Sequence, residues 1–598
     1  MGHYTAPLRD IEFTLHHIAG LPELAALEDF SDTTPDIVAA VLAEIGKLAS
    51  TVIAPLNEQG DRLGSVLENG VVRTPPGFAE AYAAFVAGGW NGLSFSPEYG
   101  GQGLPFTLSV SMMEMVTAAN MGFALCPMLN LGGIEALAAH GSDALKAAYL
   151  EKMASGEWTT TMNLTEPQAG SDVGALKTRA VPAGDGSYRI QGQKIFITWG
   201  DHDMTDNIVH MVLARTPDAP PGTRGVSLFL VPGKVLREDG SLGPVNDLRC
   251  VSLEHKLGIH ASPTAVMSYG DNDGCIGYLL GEENSGMRCM FTMMNHARLN
   301  VGLQGVAIAE RAFQAAADYA RERVQGRVIG AGGPGPWPIA EHADVRRMLM
   351  EMKALIAAGR ALVHRNAVAV DLARHHPDGD ERKKQAGIAA FLTPISKAWS
   401  TDMGCEVASL GIQVHGGMGY IEETGAAQYW RDASIAQIYE GTNGIQAQDL
   451  VLRKLTLDDG APLGHVRAEI GATIDALAAV PEFADMAGAL EAGRDDFTAA
   501  ADWLGQRLET HPRACAAAAD PYLRLAGLVI GAHLLARGAL AAEKEKAAGA
   551  GDAAFLDGQI TLARYFCRHR LCQTGAFLAN VREGDDLLFD IPADHLSV

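Results

Sequence analysis

The hydrophobic period of this chain changes twice along its length, and that double change limits the folds open to it. After Thr34-Pro35-Asp36, the residues Val38, Val41, Leu42, Ile45, Leu48 and Val52 recur at three-to-four spacing behind a proline suited to a first helical turn. The spacing predicts an amphipathic helix. Similar patterns, broken by Gly/Pro segments such as SPEYGGQGLP, continue to about Gly156. Between about Glu157 and Gly286 the runs YRIQGQKIFIT, NIVHMVLART and GVSLFLVP are short, apolar or β-branched, and separated by Gly, Pro and Asp, so they read as strands. From Met287 to about Leu455 the helical period returns, with one break at GRVIGAGGPGPWP, and an Ala/Leu-rich helical block follows from Thr456. The expected organisation is mainly α: an N-terminal helical domain over 1–156, a β domain over 157–286, a second helical domain over 287–455 and a helical extension over 456–598. No internal repeat is visible.

A length of 598 residues exceeds one ordinary core and predicts three or four domains. With 47 % hydrophobic and 20 % charged residues the composition is that of a globular protein. A formal charge of −24 argues against non-specific binding to nucleic acid or to an anionic membrane surface, since both need clustered Lys and Arg. It leaves room for an anionic ligand held by a few cations or a helix N-terminus. The eight cysteines form no CxxC pair and no Cys/His spacing for zinc, which predicts a reduced, metal-free, cytoplasmic protein. MGHYTAPLRDIEF carries acids and lacks an apolar run, so no secretory signal is expected, and Gly2 fits a myristoylation pattern only loosely because position 6 is Ala6. The most apolar stretch, Leu525 to Ala536, contains His533 between Arg524 and Arg537; it is short for a membrane span and predicts a buried helix rather than an anchor.

Particular residues carry the chemistry. Leu164-Thr165-Glu166-Pro167-Gln168-Ala169-Gly170-Ser171-Asp172 opens the β domain and offers unhindered amides and hydroxyls to a polar planar ligand; alone it would read as a turn capped by Ser171 and Asp172. It coincides with KIFITWG at 194–200, KLGIHASPT at 256–264, IQVHGGMGY at 412–420 and QIYEGTNGIQ at 437–446. In this order and at these separations the five segments resemble the acyl-CoA dehydrogenase family, over about residues 30 to 455.

The resemblance implies an N-terminal helical domain, a middle β-barrel, a C-terminal four-helix bundle and FAD. The flavin contacts it implies are the Met162 to Ser171 segment, including Leu164, Thr165, Gly170 and Ser171, then Phe196, Ile197 and Thr198, with Thr442 from the later motif. Phe196 stands where the family usually has Trp, which keeps an aromatic face and loses an indole donor. The adenosine half of FAD is completed in the family by a neighbouring subunit, so Arg323, Gln325, Gln413, Gly416 and Gly417 imply a homo-oligomer, expected as a homodimer. Two departures occur there: the family's Phe is absent between Gln325 and Gly326, and Ala343 follows His342 where medium-chain members have Gln.

A thioester α C–H is a poor acid, so its removal needs a positioned carboxylate and a polarised carbonyl oxygen. The family's base matches Glu440. An isolated Glu would read as a solvated surface group. Some members carry the base instead just before an Arg in the bundle, and here that residue is Ala297 before Arg298, so Glu440 alone fills a base position. Arg298 is implied as a brace for the Glu440 loop, and Ser171, Asn295, Arg298, Glu440 and Gly441 as substrate contacts. Glu166 reads equally as a cofactor-tuning or a turn-stabilising group. Glu422, Glu423 and the Arg431-Asp432 pair read as surface or inter-helix charges, His415 as a packing histidine, and Met293 and Met294 as core.

The extension YTAPLRDIEFTLHHIAG and the block after Thr456 resemble a long bacterial subgroup whose substrates include 3-methylmercaptopropionyl-CoA and straight-chain fatty acyl-CoAs. The sulfur-containing thioester is the favoured expectation, with electron transfer flavoprotein as the implied redox partner. The competing expectations are a straight-chain acyl-CoA dehydrogenase, an acyl-CoA oxidase and a non-catalytic CoA-binding protein.

Overall fold

The run between Thr159 and Leu280 forms strands because its β-branched and apolar residues meet turn residues at short intervals. The computed structural model describes residues 3–272, 274–330 and 335–596; Gly2 and residues 331–334 of the GRVIGAGGPGPWP break lie outside them. The chain divides into two units, Met1–Ala40 with Pro105–Glu114 and Arg298–Val598, and Val41–Leu104 with Met115–Ala297.

The second of these holds a single eight-stranded sheet. Its strands are β1 Thr159–Asn163, β2 Arg179–Pro182, β3 Tyr188–Thr198, β4 Ile208–Ala214, β5 Ser227–Pro232, β6 Leu248–Leu253, β7 Thr264–Tyr269 and β8 Cys275–Leu280. The order is β6-β7-β3-β8-β5-β4-β1, with β2 also on β3, and β1 with β4 is the parallel pair. Strands from both ends of this order share one core, in which Cys250 of β6 joins Val212 and Ala214 of β4, Phe229 of β5 and Ile190 and Ile197 of β3. Tyr269 Oη of β7 donates to Asn163 Oδ1 of β1 at 2.8 Å, so the sheet curls on itself, as the expected barrel requires. The helix Met121–His140 covers β1, and Thr160 Oγ1 donates to Leu129 O at 2.9 Å.

One segment read as helical is not. Val66–Glu68 and Val71–Arg73 form a hairpin, because Asn69 and Gly70 both take positive φ, 52° and 80°, as a two-residue hairpin turn demands.

The first unit is helical. Helix α1 (Gly286–Glu322) enters it at Arg298, and α2 (Ala343–His375), α3 (Gly379–His415) and α4 (Ala426–Ala436) complete four helices around a shared apolar interior. On α1, Gly305 lets two backbones approach closely: a Cβ there would stand 2.1 Å from Ser400 O of α3. A short helix α5 (Asn443–Asp449) follows, and the C-terminal block contributes α6 (Ala519–Ala547) and its neighbours Ala461–Ala478, Ala484–Arg507, Ala553–His569 and Thr574–Glu583.

The N-terminal segment packs on this extension: Phe13 meets Phe555 edge-on at 5.7 Å and Gln559 Nε2 donates to Asp10 Oδ1 at 3.0 Å. Helix α6 is longer than its apolar stretch suggests. With Pro35–Leu63 and Met121–His140 it is long and apolar enough, by length and composition, to cross a membrane, but 83 % of its apolar window is buried inside the protein.

Candidate active site

Glu440 lies between the end of α4 and the start of α5, where the backbone turns left-handed at two successive residues, Glu440 at φ 57° and Gly441 at φ 83°. Gly adopts that region freely, whereas for Glu it costs about 1–2 kcal/mol and persists only where neighbours enforce it. They do so here. Arg298 Nε donates to Glu440 O at 3.4 Å and Gln446 Nε2 to the same oxygen at 3.3 Å. Thr442 Oγ1 caps α5 by accepting from Ile445 N at 3.3 Å, and Asn443 N closes the loop on Gln437 O at 3.0 Å. Beneath the loop, Lys397 of α3 is fully buried and its Nζ donates to Asn443 Oδ1 at 2.8 Å and to Gln437 O at 3.3 Å.

The electrostatics follow from this packing. Burial pushes the Glu440 carboxyl up to about 7, against the downward pull of the Arg298 and Lys397 cations. Burial pushes Lys397 down to about 7, opposed chiefly by Glu440. A carboxylate poised near neutrality, part-exposed on a strained loop and flanked by two cations, suits a general base working near neutral pH. Tyr439, beside it, is anchored by a hydrogen bond to Gln304.

In the same unit, the ends of α1 and α3 meet where Tyr319 stacks on His415 at 4.6 Å. His415 Nδ1 is 2.7 Å from Gly411 O and the ring is buried, as expected of a packing histidine. Arg323 and Gln325, which follow α1, and Gln413, Gly416 and Gly417 at the end of α3 are exposed. Both glycines have open space where a Cβ would stand, so a ligand backbone or ring can approach closely. Arg431 pairs with Glu422 at 3.0 Å, but Asp432, read as a surface or inter-helix charge, is 2 % exposed and accepts from Gln428 Nε2 at 3.3 Å.

The segment 162–171, expected at the flavin, belongs to the other unit. There Glu166 is a scaffold: its carboxylate accepts from Lys177 N (2.7 Å), Thr178 N (3.0 Å), Thr178 Oγ1 (2.6 Å), Gln168 Nε2 (2.7 Å) and Lys194 Nζ (2.9 Å). Burial alone would raise its pKa, but Lys194 and these donors bring it down to about 2. Lys194 Nζ also donates to Leu164 O at 2.9 Å and Ile195 N to Thr165 O at 3.0 Å, so Leu164 and Thr165 are fixed beside β3, while Met162 on β1 is paired with Met211 of β4.

On β3 the register against β7 slips by one residue between Lys194 and Ile197, and that bulge turns Phe196 outward at φ 58° with 59 % of its surface exposed. Ile197 is buried beneath it and Thr198 is half-buried. Gly170 and Ser171 are exposed on the same loop, and a Cβ at Gly170 would meet nothing. Asn295 is exposed on the part of α1 in this unit. An outward aromatic face beside a rigid, open loop of backbone and hydroxyl groups fits a planar isoalloxazine ring.

Two residues of the Glu440 site escape the motifs: Lys397, and Asp402, whose Oδ1 accepts from Asn443 Nδ2 at 2.7 Å. The signal for Lys397 is a lone cation inside FLTPISKAWS, an otherwise apolar helical run.

Four family models match the chain: "Acyl-CoA dehydrogenase, N-terminal domain" over 39–157, "Acyl-CoA dehydrogenase, middle domain" over 161–271, "Acyl-CoA dehydrogenase, C-terminal domain" over 284–455, and "Acetyl-CoA dehydrogenase C-terminal like" over 466–592. The chain belongs to the acyl-CoA dehydrogenase family, whose members are FAD-dependent enzymes acting on acyl-CoA thioesters.

Among its relatives, 3-methylmercaptopropionyl-CoA dehydrogenase of Ruegeria pomeroyi is 48 % identical over 587 residues, covering 98 % of this chain and 99 % of the relative. A butyryl-CoA dehydrogenase of Syntrophomonas wolfei is 35 % identical, with 99 % of each chain covered. The crystal structure of an acyl-CoA dehydrogenase from Bacillus anthracis, complexed with FAD, shares the fold at a TM-score of 0.73 and 20 % identity, over 92 % of this chain and 88 % of that one.

Proposed function

We propose that this enzyme converts 3-methylmercaptopropionyl-CoA to its trans-2-enoyl thioester, with Glu440 removing the α proton. The observation that carries the role of Glu440 is its placement: a carboxylate held on a left-handed turn by Arg298 and Gln446, with burial raising its proton affinity into the neutral range. Bound FAD supplies the hydride acceptor for the β carbon. The protein's share is to orient the thioester, hold Glu440 ionised until it takes the proton, and keep the loop rigid while it does so. Ser171, Asn295, Arg298 and Gly441 are the substrate contacts in this reading. Thr442, Met162, Leu164, Thr165, Gly170, Ser171, Phe196, Ile197 and Thr198 serve the flavin half of the cofactor, and Arg323, Gln325, Gln413, Gly416 and Gly417 serve the adenosine half of a neighbouring copy's.

The choice of acyl group rests on 48 % identity across almost the whole length of the 3-methylmercaptopropionyl-CoA enzyme. A second reading, a short straight-chain acyl-CoA dehydrogenase, draws on the butyryl-CoA relative at 35 % identity. Steady-state turnover of the FAD-loaded enzyme with a dye acceptor separates them: the first predicts the highest kcat/KM with 3-methylmercaptopropionyl-CoA, and equal or better turnover of butyryl- or octanoyl-CoA overturns it.

We place the enzyme in the cytoplasm as a homodimer that passes electrons to an electron transfer flavoprotein. The exposed side chains of Ile329, Met418, Tyr420 and Ile421 support the dimer, because each is a large apolar group left in solvent within a few residues in sequence of Gln325 or Gly417. The free state of all eight cysteines supports the compartment. Turnover in aerobic buffer without an added acceptor would instead indicate an oxidase.

A further inference from the structure

Helix α6 of the C-terminal extension runs against α3 and α5, the two helices that grip the Glu440 loop. Two contacts set its position. Gly527 leaves room for the Trp399 ring, since a Cβ at 527 would stand 2.3 Å from Trp399 Cγ. One turn earlier on α6 and one turn later on α3, Arg524 Nη2 reaches Asp402 Oδ2 at 3.1 Å. The other oxygen of Asp402 accepts from Gln437 Nε2 and from Asn443 Nδ2, both at 2.7 Å. Gln437 and Asn443 are the residues immediately outside the loop 438–442, and Asn443 N donates to Gln437 O at 3.0 Å, so both ends of the loop are tied to one carboxylate. Asn443 Oδ1 in turn takes Lys397 Nζ.

We propose that Arg524 and Asp402 are positioning residues for the reaction, so that the C-terminal extension holds the Glu440 loop in its catalytic geometry through the Arg524–Asp402 contact. The alternative is an ordinary half-exposed ion pair of negligible effect, because the Arg524 side chain is 44 % exposed and also pairs with Asp520 at 2.8 Å. What separates this pair from such a contact is the far side of Asp402. Its Oδ1 is spent wholly on the two loop ends, so a carboxylate that drifts takes both with it. A loop already in a strained conformation has little to restore it once released.

The inference rests on Glu440 being the base, and the test keeps the two apart. Full-length, FAD-loaded Arg524→Met, Arg524→Lys, Asp402→Asn and the Arg524→Met/Asp402→Asn double variant are compared with wild type and with Glu440→Gln for kcat, KM and FAD content. Because small misplacements of a catalytic group are costly, Arg524→Met and Asp402→Asn are each expected to lose about tenfold in kcat with KM within about twofold. Arg524→Lys recovers most of the loss, and the double variant is no slower than the worse single one, since both act through one contact. If either single variant fails to retain FAD, the other reads the result. Values of kcat within twofold of wild type in the FAD-retaining variants, or losses that multiply in the double variant, overturn the inference. A fully active Glu440→Gln overturns the underlying assignment of the base instead.

Discussion

Arg298 Nε stands 3.4 Å from the carbonyl oxygen of Glu440, so one guanidinium braces the backbone of the residue whose carboxyl it also draws toward ionisation. Both effects are needed on this turn. A left-handed glutamate relaxes unless its carbonyl is held, and a carboxyl raised by burial stays protonated unless a cation lowers it.

The pH dependence follows with a definite sign. Glu440 must be ionised to accept a proton, so kcat/KM should rise about tenfold per pH unit on the acid side and level off above about 7. Arg298→Met removes a charge that lowers this pKa, so the acid limb should move to higher pH as well as lose amplitude. A pH–rate profile of both proteins checks it; an unmoved limb in the variant would separate Arg298 from the carboxyl. In stability the raised pKa acts the other way. The contribution is full below the unfolded value of about 4.3 and is lost as pH rises through about 7.

The second prediction concerns the loop that carries Glu166, proposed to hold the flavin. Glu166→Gln leaves Lys194 buried without its carboxylate partner and turns one of the two accepting oxygens into an NH2 donor that cannot take the loop's hydrogen bonds. Breaking one side of a buried ion pair costs about 3–5 kcal/mol, so the variant should bind FAD at least about tenfold more weakly and melt at lower temperature. Flavin fluorescence titration and a thermal melt read both. The depressed pKa of Glu166 means that its own stabilisation is present above about 4.3 and disappears as pH falls through about 2.

A third prediction tests the bundle away from the site. Arg360 is 2 % exposed and bridges Glu114 Oε1 at 2.7 Å and Glu310 Oε2 at 2.9 Å, both buried. Arg360→Met strands two carboxylates and should lower stability by about 3–5 kcal/mol in urea unfolding, while Glu114→Gln with Arg360→Met together should recover part of it.

Much of this arrangement is legible in the sequence, and the rest is hidden for identifiable reasons. The strands of the β domain show because period-two runs meet turn residues, and Glu440 shows because its motif keeps company with four others. The Val66–Arg73 hairpin carries an Asn-Gly turn yet sits within helical periodicity that masks it. Lys397 is invisible as a site residue because an isolated lysine in an apolar run does not say which way it points. Glu166 shows its position but not its role, since its five donors come from three separate stretches of chain. The tie between Asp402 and Arg524 joins helices far apart in sequence, and periodicity gives each helix an apolar face without naming the face it meets.

The most direct test of the account is the rate of flavin reduction when FAD-loaded Glu440→Gln is mixed anaerobically with acyl-CoA substrate. The amide is nearly isosteric and cannot take the proton. Flavin reduction should fall by about 10²–10⁴-fold while FAD content and thioester affinity stay close to wild type. Reduction within a few-fold of wild type, with FAD bound, would contradict the assignment of Glu440 as the base.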